Sequence, residues 1–375
     1  MKRRTVLTRL AAASAAVAMP ALAQFDRRIV LGQSAAFTGA AAQLGIQMNR
    51  GAKLCFDAVN AAGGVHGAQI ELRTMDDMYE PDRCKANTEA LIKEDVFALF
   101  GYVGTPTSLA ALPLVNQHKM PFFGPFTGAE ALRDPFSRYV FHVRASYYDE
   151  TALIVKQLTS LSLKKIAVFR QNDSYGQAGL DGVVRALKTL NLEPVAIGLV
   201  ERNTVEVAAA VQAIVAKQPD AVVQISAYKS CAAFIREARK AGYGGTFYNV
   251  SFVGTQALAD ELGRQAMGVV VSQVMPFPFS LTTPLSREYL AAVQKAGGDN
   301  KPNYSSMEGY VAAKLFTEGL RRAGRAPNRD ALIGGLEAVQ NLDLGGFVVG
   351  YGARSHVASR FVDLSMLTDD GRVRV

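Results

Sequence analysis

The sequence predicts an α/β protein made of two successive doubly wound units, each a mainly parallel sheet covered by helices. Short β-branched runs alternate with helical patterns along most of the chain, and the series starts over near residue 149. Length agrees: 375 residues exceed what one hydrophobic core usually serves.

The first strand is predicted over 29–34. Over 45–61, Ile46, Met48, Ala52, Cys55 and Val59 recur near helical spacing, and Gly63-Gly64 ends that helix as glycine commonly does. A strand over 70–75 and a helix over 81–94 follow, the helix opened by Pro81, whose missing N–H costs nothing in a first turn. A strand over 97–101, a helix over 108–118 and strands over 120–123 and 139–144 complete the first unit. The second unit runs helix 149–161, strand 165–169, helix 176–190, strand 195–200, helix 205–217, strand 221–225, helix 231–241, strand 246–250, helix 257–262 and strand 268–274. After Met275-Pro276-Phe277-Pro278 the pattern turns helical over 284–295, 306–323 and 329–340, with no new set of strands. These helices are expected to return and cover the first unit, and strands near 347–351 and 360–367 to re-enter the second.

The chain opens MKRRTVLTRLAAASAAVAMPALAQ: a basic start, an Ala- and Val-rich run, and the small-x-small site Ala21-Leu22-Ala23. This reads as a signal peptide over 1–23, with a mature chain from near Gln24 in the periplasm. Arg3-Arg4 fits either the twin-arginine route or an ordinary Sec signal. The apolar run is too short to span a bilayer and no Cys follows the site, so no membrane anchor is expected. The leader removes four of the 41 basic residues, leaving 37 against 33 acidic ones. That weak excess has no basic tract, which argues against nucleic acid.

Cys55, Cys84 and Cys231 match no zinc or redox spacing and read as buried small hydrophobes, with a Cys55–Cys84 disulfide left open. His66, His118, His142 and His356 are scattered, with no pair at metal-ligand spacing and no nucleophile turn. Asp76-Asp77 and Asp369-Asp370 sit at strand ends or turns, where acids cap amides, and the glycine clusters lack a dinucleotide pattern. No enzyme, no metal and no cofactor is expected.

A set of motifs in order, Phe37-Thr38-Gly39, Gly51-Ala52, Asp57-Ala58-Val59-Asn60, Gly63-Gly64-Val65-His66-Gly67, Asp76-Asp77 with Pro81, Phe100-Gly101, Thr105-Pro106-Thr107-Ser108, Pro121-Phe122-Phe123-Gly124-Pro125, Asn172-Asp173-Ser174-Tyr175-Gly176 and Ala238-Arg239-Lys240-Ala241-Gly242, resembles the leucine/isoleucine/valine-binding proteins of ABC transporters. The resemblance spans the mature chain. It implies two Rossmann-like lobes (24–143 with 276–342, and 144–275 with 343–375) joined by three crossovers, near 142–146, 273–277 and 341–345. It also implies that a monomeric receptor holds a small carboxylate-bearing solute between its lobes and presents it to an inner-membrane ABC permease.

In open α/β sheets ligands bind beyond the carboxyl ends of strands, where Gly104-Thr105-Pro106-Thr107-Ser108 joins a strand to a helix. Thr105, Thr107 and Ser108, with the backbone amides of the helix start, can hold a carboxylate, and Thr107 or Ser108 can equally cap the helix. The resemblance implies the first role. It also places Phe126, Thr127 and Gly128 in a second carboxylate-contacting loop, although Thr127-x-x-Glu130 doubles as a capping box. On the second lobe it puts Tyr175 and Tyr228 over the ligand, with Ser226 a weaker candidate and Tyr147 and Tyr148 weaker still.

The departures bear on the ligand. Ser251 stands where amino-acid binders of this family carry a glutamate for the α-ammonium, Leu44 replaces a covering aromatic ring, and the family's disulfide positions fall on Tyr79 and Gly104. Together they tip the expectation towards an organic or aromatic acid lacking the ammonium, with an amino acid as alternative if Glu130 or Asp149 supplies the acid. Two other classes stay open: a periplasmic sensor subunit signalling to a membrane kinase or chemoreceptor, and a cytoplasmic amide-sensing regulator, against which the leader argues.

Overall fold

The computed structural model describes residues 27–375, and the predicted leader lies outside them. Strands β1 (Arg28–Ala35), β2 (Gln69–Asp76), β3 (Ala98–Phe100), β4 (Phe122–Phe123) and β5 (Val140–Phe141) form a parallel sheet in the order β2-β1-β3-β4-β5. Strands β6 (Ile166–Gln171), β7 (Ala196–Val200), β8 (Ala221–Ile225), β9 (Thr246–Asn249) and β10 (Val270–Gln273) repeat that order as β7-β6-β8-β9-β10, again parallel. The two units seen in the sequence are thus two lobes of one topology.

The helices fall close to their predicted spans: α1 (Ala42–Ala61), α2 (Pro81–Lys93), α3 (Thr105–Gln117), α4 (Tyr147–Ser160), α5 (Ser174–Lys188), α6 (Ala208–Val215), α7 (Tyr228–Lys240), α8 (Thr255–Leu262), α9 (Pro284–Ala296), α10 (Tyr304–Ala323) and α11 (Arg329–Glu337). Among the described residues, no helix is long and apolar enough to cross a membrane. α3 starts three residues earlier than expected, which draws Thr105 and Pro106 into its first turn.

As expected, the late helices return to the first lobe, where α10 packs along α1. Glycine makes the approach possible: a Cβ on Gly51 would lie 1.8 Å from the Ser306 carbonyl oxygen, and one on Gly309 2.1 Å from that of Met48. Phe316 of α10 then reaches the first-lobe aromatic core, its ring centroid 5.2 Å from Phe123 and 5.8 Å from Phe100. In the second lobe the buried run from Ile166 to Phe169 of β6 and the fully buried β8 are sealed by helices, with Phe169 stacked on Phe234 at 4.2 Å.

Two expectations are corrected here. The segment near 347–351 does not join the second sheet: β12 (Val348–Val349) pairs only with β11 (Leu342–Asp343), and Tyr351 turns its ring against Phe141 and Phe123 of the first lobe. β13 (Asp363–Leu367) does enter the second sheet, but antiparallel to β10, followed by β14 (Val373–Arg374) at the edge. The open Cys55–Cys84 pairing is resolved too, since all three cysteines are buried free thiols. Burial pushes the Cys55 thiol up to about 12.

Candidate functional site: the cleft between the lobes

Each sheet changes winding direction between its first and third strands, and the chain beyond the carboxyl ends there forms a crevice. The two crevices face each other. Gln171, at the end of β6, donates to the Tyr79 hydroxyl at 3.2 Å across the lobes. Phe252, beyond β9, sets its ring 5.9 Å from Tyr79, 5.7 Å from Phe126 and 4.6 Å from Tyr175, and Tyr147 lies 5.4 Å from Tyr175. At the rim Arg202 pairs with Glu80 at 2.8 Å and Asn203 donates to the same carboxylate at 2.7 Å.

Tyr79 and Gly104 touch, as the resemblance requires of its disulfide positions, but through a ring rather than sulfur. A Cβ on Gly104 would lie 2.2 Å from Tyr79 Cε2, and Gly104 holds φ of +105°, so glycine is demanded twice over. Leu44 packs across the cleft, its Cδ2 2.5 Å from where Gly254 would carry a Cβ.

The predicted carboxylate loops come together. The Thr105 and Thr127 hydroxyls lie 2.6 Å apart, and Thr127 reaches the Tyr147 hydroxyl at 3.3 Å. This hydroxyl chain links the N-terminus of α3, the loop after β4 and the start of α4. Ser108 is buried with its hydroxyl unpartnered, whereas the Thr107 hydroxyl is committed to its own helix, donating to Val103 and Gly104 carbonyls at 2.5 and 3.1 Å. The capping box at Thr127 does not form: Thr127 instead accepts from the Ala129 amide, and Glu130 opens a short helical turn without a side-chain cap. Gly128 is small because Tyr147 leaves no room, with a would-be Cβ 2.7 Å from the Tyr147 nitrogen.

On the second lobe, Tyr175 is fully buried with its hydroxyl unpartnered, and the Ser226 hydroxyl is likewise buried and unpartnered. Tyr228 is buried with its hydroxyl against the backbone of Gln43 in the first lobe. Tyr148 lies outside the cleft, under the guanidinium of Arg185.

At the centre stand three charged groups that sequence reasoning missed. Arg144, on the first crossover, is buried with its guanidinium 4.6 Å over the Phe126 ring. Its Nε lies 3.4 Å from Glu308 of α10, its Nη2 donates to the Ser251 hydroxyl, and neither Nε nor Nη1 makes a hydrogen bond. Glu150 of α4, equally buried, accepts from the Ser251 amide at 2.7 Å, the Ser251 hydroxyl at 3.0 Å and the Ser272 hydroxyl at 2.5 Å. Ser251 therefore sits in the cleft with its hydroxyl engaged on both sides, and the acid at this place comes from Glu150.

Neither acid named from sequence fills that role. Asp149 caps α4 by accepting from the Ser146 amide and hydroxyl, both at 3.0 Å, and Glu130 lines an outer cavity beside Asp134 and Arg360. Burial raises Glu150 above its ordinary value although Arg144 pulls it down. Burial, opposed by Arg144 and reinforced by Glu150, pushes Glu308 up to about 7. Burial also works against the charge of Arg144, but Glu308 and Glu150 hold its pKa above the usual value. Among the described residues, no group of three or more His, Cys, Asp or Glu is placed to hold a metal ion.

A sequence signal existed for Glu150, which shares the buried face of α4 with Ile154 and Leu158 at helical spacing. Glu308 is an acid within a helix buried on nearly every side.

Two lobes of one topology with facing switch-point crevices, joined by three chain passages, define a type I periplasmic binding protein. The chain belongs to the periplasmic binding protein family, whose model matches residues 28–372. It is similar to Leu/Ile/Val-binding protein homolog 7 of Brucella suis biovar 1, 25% identical, with 92% of this chain and 89% of that one covered. Among solved structures, a possible leucine/isoleucine/valine-binding protein from Rhodopirellula baltica SH 1 superposes with a TM-score of 0.88 at 34% identity, covering 93% of this chain and 96% of that one. A substrate-binding periplasmic protein from Ralstonia solanacearum gives 0.87 at 30% identity, covering 92% and 99%. Members of this family bind solutes in the periplasm and are not enzymes.

Proposed function

We propose that the protein is the receptor of an ABC importer and that its lobes close on a small carboxylate-bearing ligand. An organic or aromatic acid fits better than an amino acid. On this reading the chain is exported, cleaved near Ala23, and acts as a monomer that presents its ligand to an inner-membrane permease. The moving units are those expected from sequence, 24–143 with 276–342 and 144–275 with 343–375, with two shifts at their edges. Arg144 goes with the first lobe, and so does the stretch through Tyr351 to Ala358, which is bonded to His142, so that the third crossover falls just before β13.

The observation that carries the reading is the buried guanidinium of Arg144, with two nitrogens that make no hydrogen bond, in a cleft walled by rings from both lobes. Guanidinium groups match carboxylates in shape and charge, and the start of α3 adds unpaired amides and a partial positive charge. The rings of Tyr79, Phe126, Tyr175 and Phe252 suit an apolar ligand body. An α-ammonium finds less, since Glu150 is taken up by Ser251 and Ser272 and Glu308 faces Arg144.

A thermal-shift comparison of benzoate, α-ketoisocaproate, leucine and benzamide tests this. Ligand at about 100 times its Kd adds roughly 2.7 kcal/mol of stability. Stabilisation by leucine or benzamide but by neither acid would count against the carboxylate reading, and mass spectrometry of the periplasmic protein checks the start near Gln24.

A further inference from the structure

Closing the cleft brings two carboxylates to one cation. Glu308 rides on α10, packed against α1, and Arg144 follows directly on β5, so both stay with the first sheet. Glu150 belongs to α4, which packs on α5 and β10, and Ser251 and Ser272 belong to the second lobe as well. The Arg144–Ser251 bond is thus made between lobes, and it carries the Glu150 carboxylate towards the Arg144–Glu308 pair.

The charges facing Glu308 are few. They are Arg144 from the crossover, Glu150 from α4 and Arg133 from the segment before β5. Arg133 spends its terminal nitrogens on the carbonyls of Thr127, Arg144 and Ala145. Tyr147 and Tyr175 face Arg144, and burial pushes both hydroxyls above their ordinary range, so they stay neutral. Tyr304 beside Glu308 on α10 is pushed up in the same way. Two cations, Arg144 and Arg133, thus balance two carboxylates, Glu150 and Glu308, in this buried centre. A third carboxylate, that of a ligand, would leave it one positive charge short, and unbalanced buried charge is removed by protonation wherever a group can accept a proton.

We propose that Glu308 is the specificity-determining counter-ion of the cleft: a carboxylate ligand takes its place on Arg144, and Glu308 takes up one proton from solvent as it is displaced. This rests on the carboxylate reading above. The balance is simple: ligand carboxylate, ionised Glu308 and a proton give the Arg144–ligand pair and neutral Glu308, with no covalent change. Burial already raises Glu308 from its ordinary value to about 7, so it can take up a proton near neutral pH. Glu150 accepts three hydrogen bonds, which favour its ionised form against the upward push of burial, and these bonds keep its grip on Ser251.

The test is isothermal titration calorimetry of benzoate and α-ketoisocaproate at pH 8 in buffers of different ionisation enthalpy, which counts protons taken up per ligand bound. Close to one proton is expected for the wild type and close to none for Glu308→Gln. The wild-type affinity should fall by up to about tenfold per pH unit above 7, and the variant should show no such slope. Acid binding without proton uptake in the wild type would overturn the proposal while sparing the carboxylate reading. Binding of leucine alone, with no proton taken up, would overturn both, because an ammonium beside Glu308 would keep it ionised as it already is at pH 8. Should Glu308→Gln fold poorly, the wild-type proton count alone still decides.

Discussion

Phe252→Ala should weaken ligand binding by holding the lobes apart, and the geometry sets the size of the effect. The Phe252 ring meets Tyr79 and Phe126 of the first lobe and Tyr175 of its own. Only the first two contacts depend on closure; the third survives opening. Aromatic pairs at these separations contribute about 0.5–1.5 kcal/mol each beyond area burial, so the closed state should lose roughly 1–3 kcal/mol relative to the open one. That corresponds to a drop of about 5- to 150-fold in the closing equilibrium, and in the apparent affinity that depends on it. Calorimetric Kd for the best acid and small-angle scattering with and without it would measure both. The wild type should contract on saturation, and the variant should need more ligand to contract. Phe234→Leu is the control: that ring stacks on Phe169 inside the second lobe, so its loss should lower the melting temperature and leave Kd alone. Wild-type Kd and wild-type contraction in Phe252→Ala would refute the reasoning, since the ring could not then be a closing contact.

Arg202→Ala removes the rim bridge to Glu80, which is partly exposed, so affinity should weaken only about two- to fivefold, less at high salt, with the melting temperature of the ligand-free protein unchanged. Gly51→Ala should destabilise the first lobe by several kcal/mol in denaturant titration, on the order of the upper end for overpacking, because the added carbon meets a backbone oxygen of α10 that has no rotamer to escape into. A change under about 1 kcal/mol would mean that α1 and α10 slide past each other freely.

The fold was legible because its rules are local and repeated. Runs such as Ala-Val-Val-Gln-Ile at β8 and the proline opening of α2 carry their own assignments, and the restart near residue 149 announced a second lobe. What escaped was pairing at the edges. Val348–Val349 reads as a strand but is too short and too turned to join a sheet, and nothing in the sequence says that β13 runs antiparallel to β10. In the site, residues tied to a strand end or a helix start were found, among them Thr105, Thr127 and Tyr175. Arg144, Glu150 and Glu308 were not, because they come from three segments far apart in the chain and mean little singly. A buried carboxylate on an apolar helix face is visible in sequence as a broken pattern, yet only tertiary structure reveals which cation it answers.

That placement changes what Ser251 implies about the ligand. A serine in place of a family glutamate suggests, in sequence, that negative charge has been withdrawn from the cleft. The structure holds two carboxylates there instead, one on each side of Arg144, and neither is presented to the ligand with an unopposed charge. Ser251 is the joint between them: it donates to Glu150 and accepts from Arg144, so it transmits the position of α4 to the crossover when the lobes meet. Replacing it by glutamate would set a third carboxylate against Glu150 in a site closed to water, and the closed state would suffer whatever the ligand. Discrimination between an acid and an amino acid therefore turns on Glu308, the one carboxylate of the centre that contacts Arg144 without a second hydrogen-bonded partner of its own among the described residues.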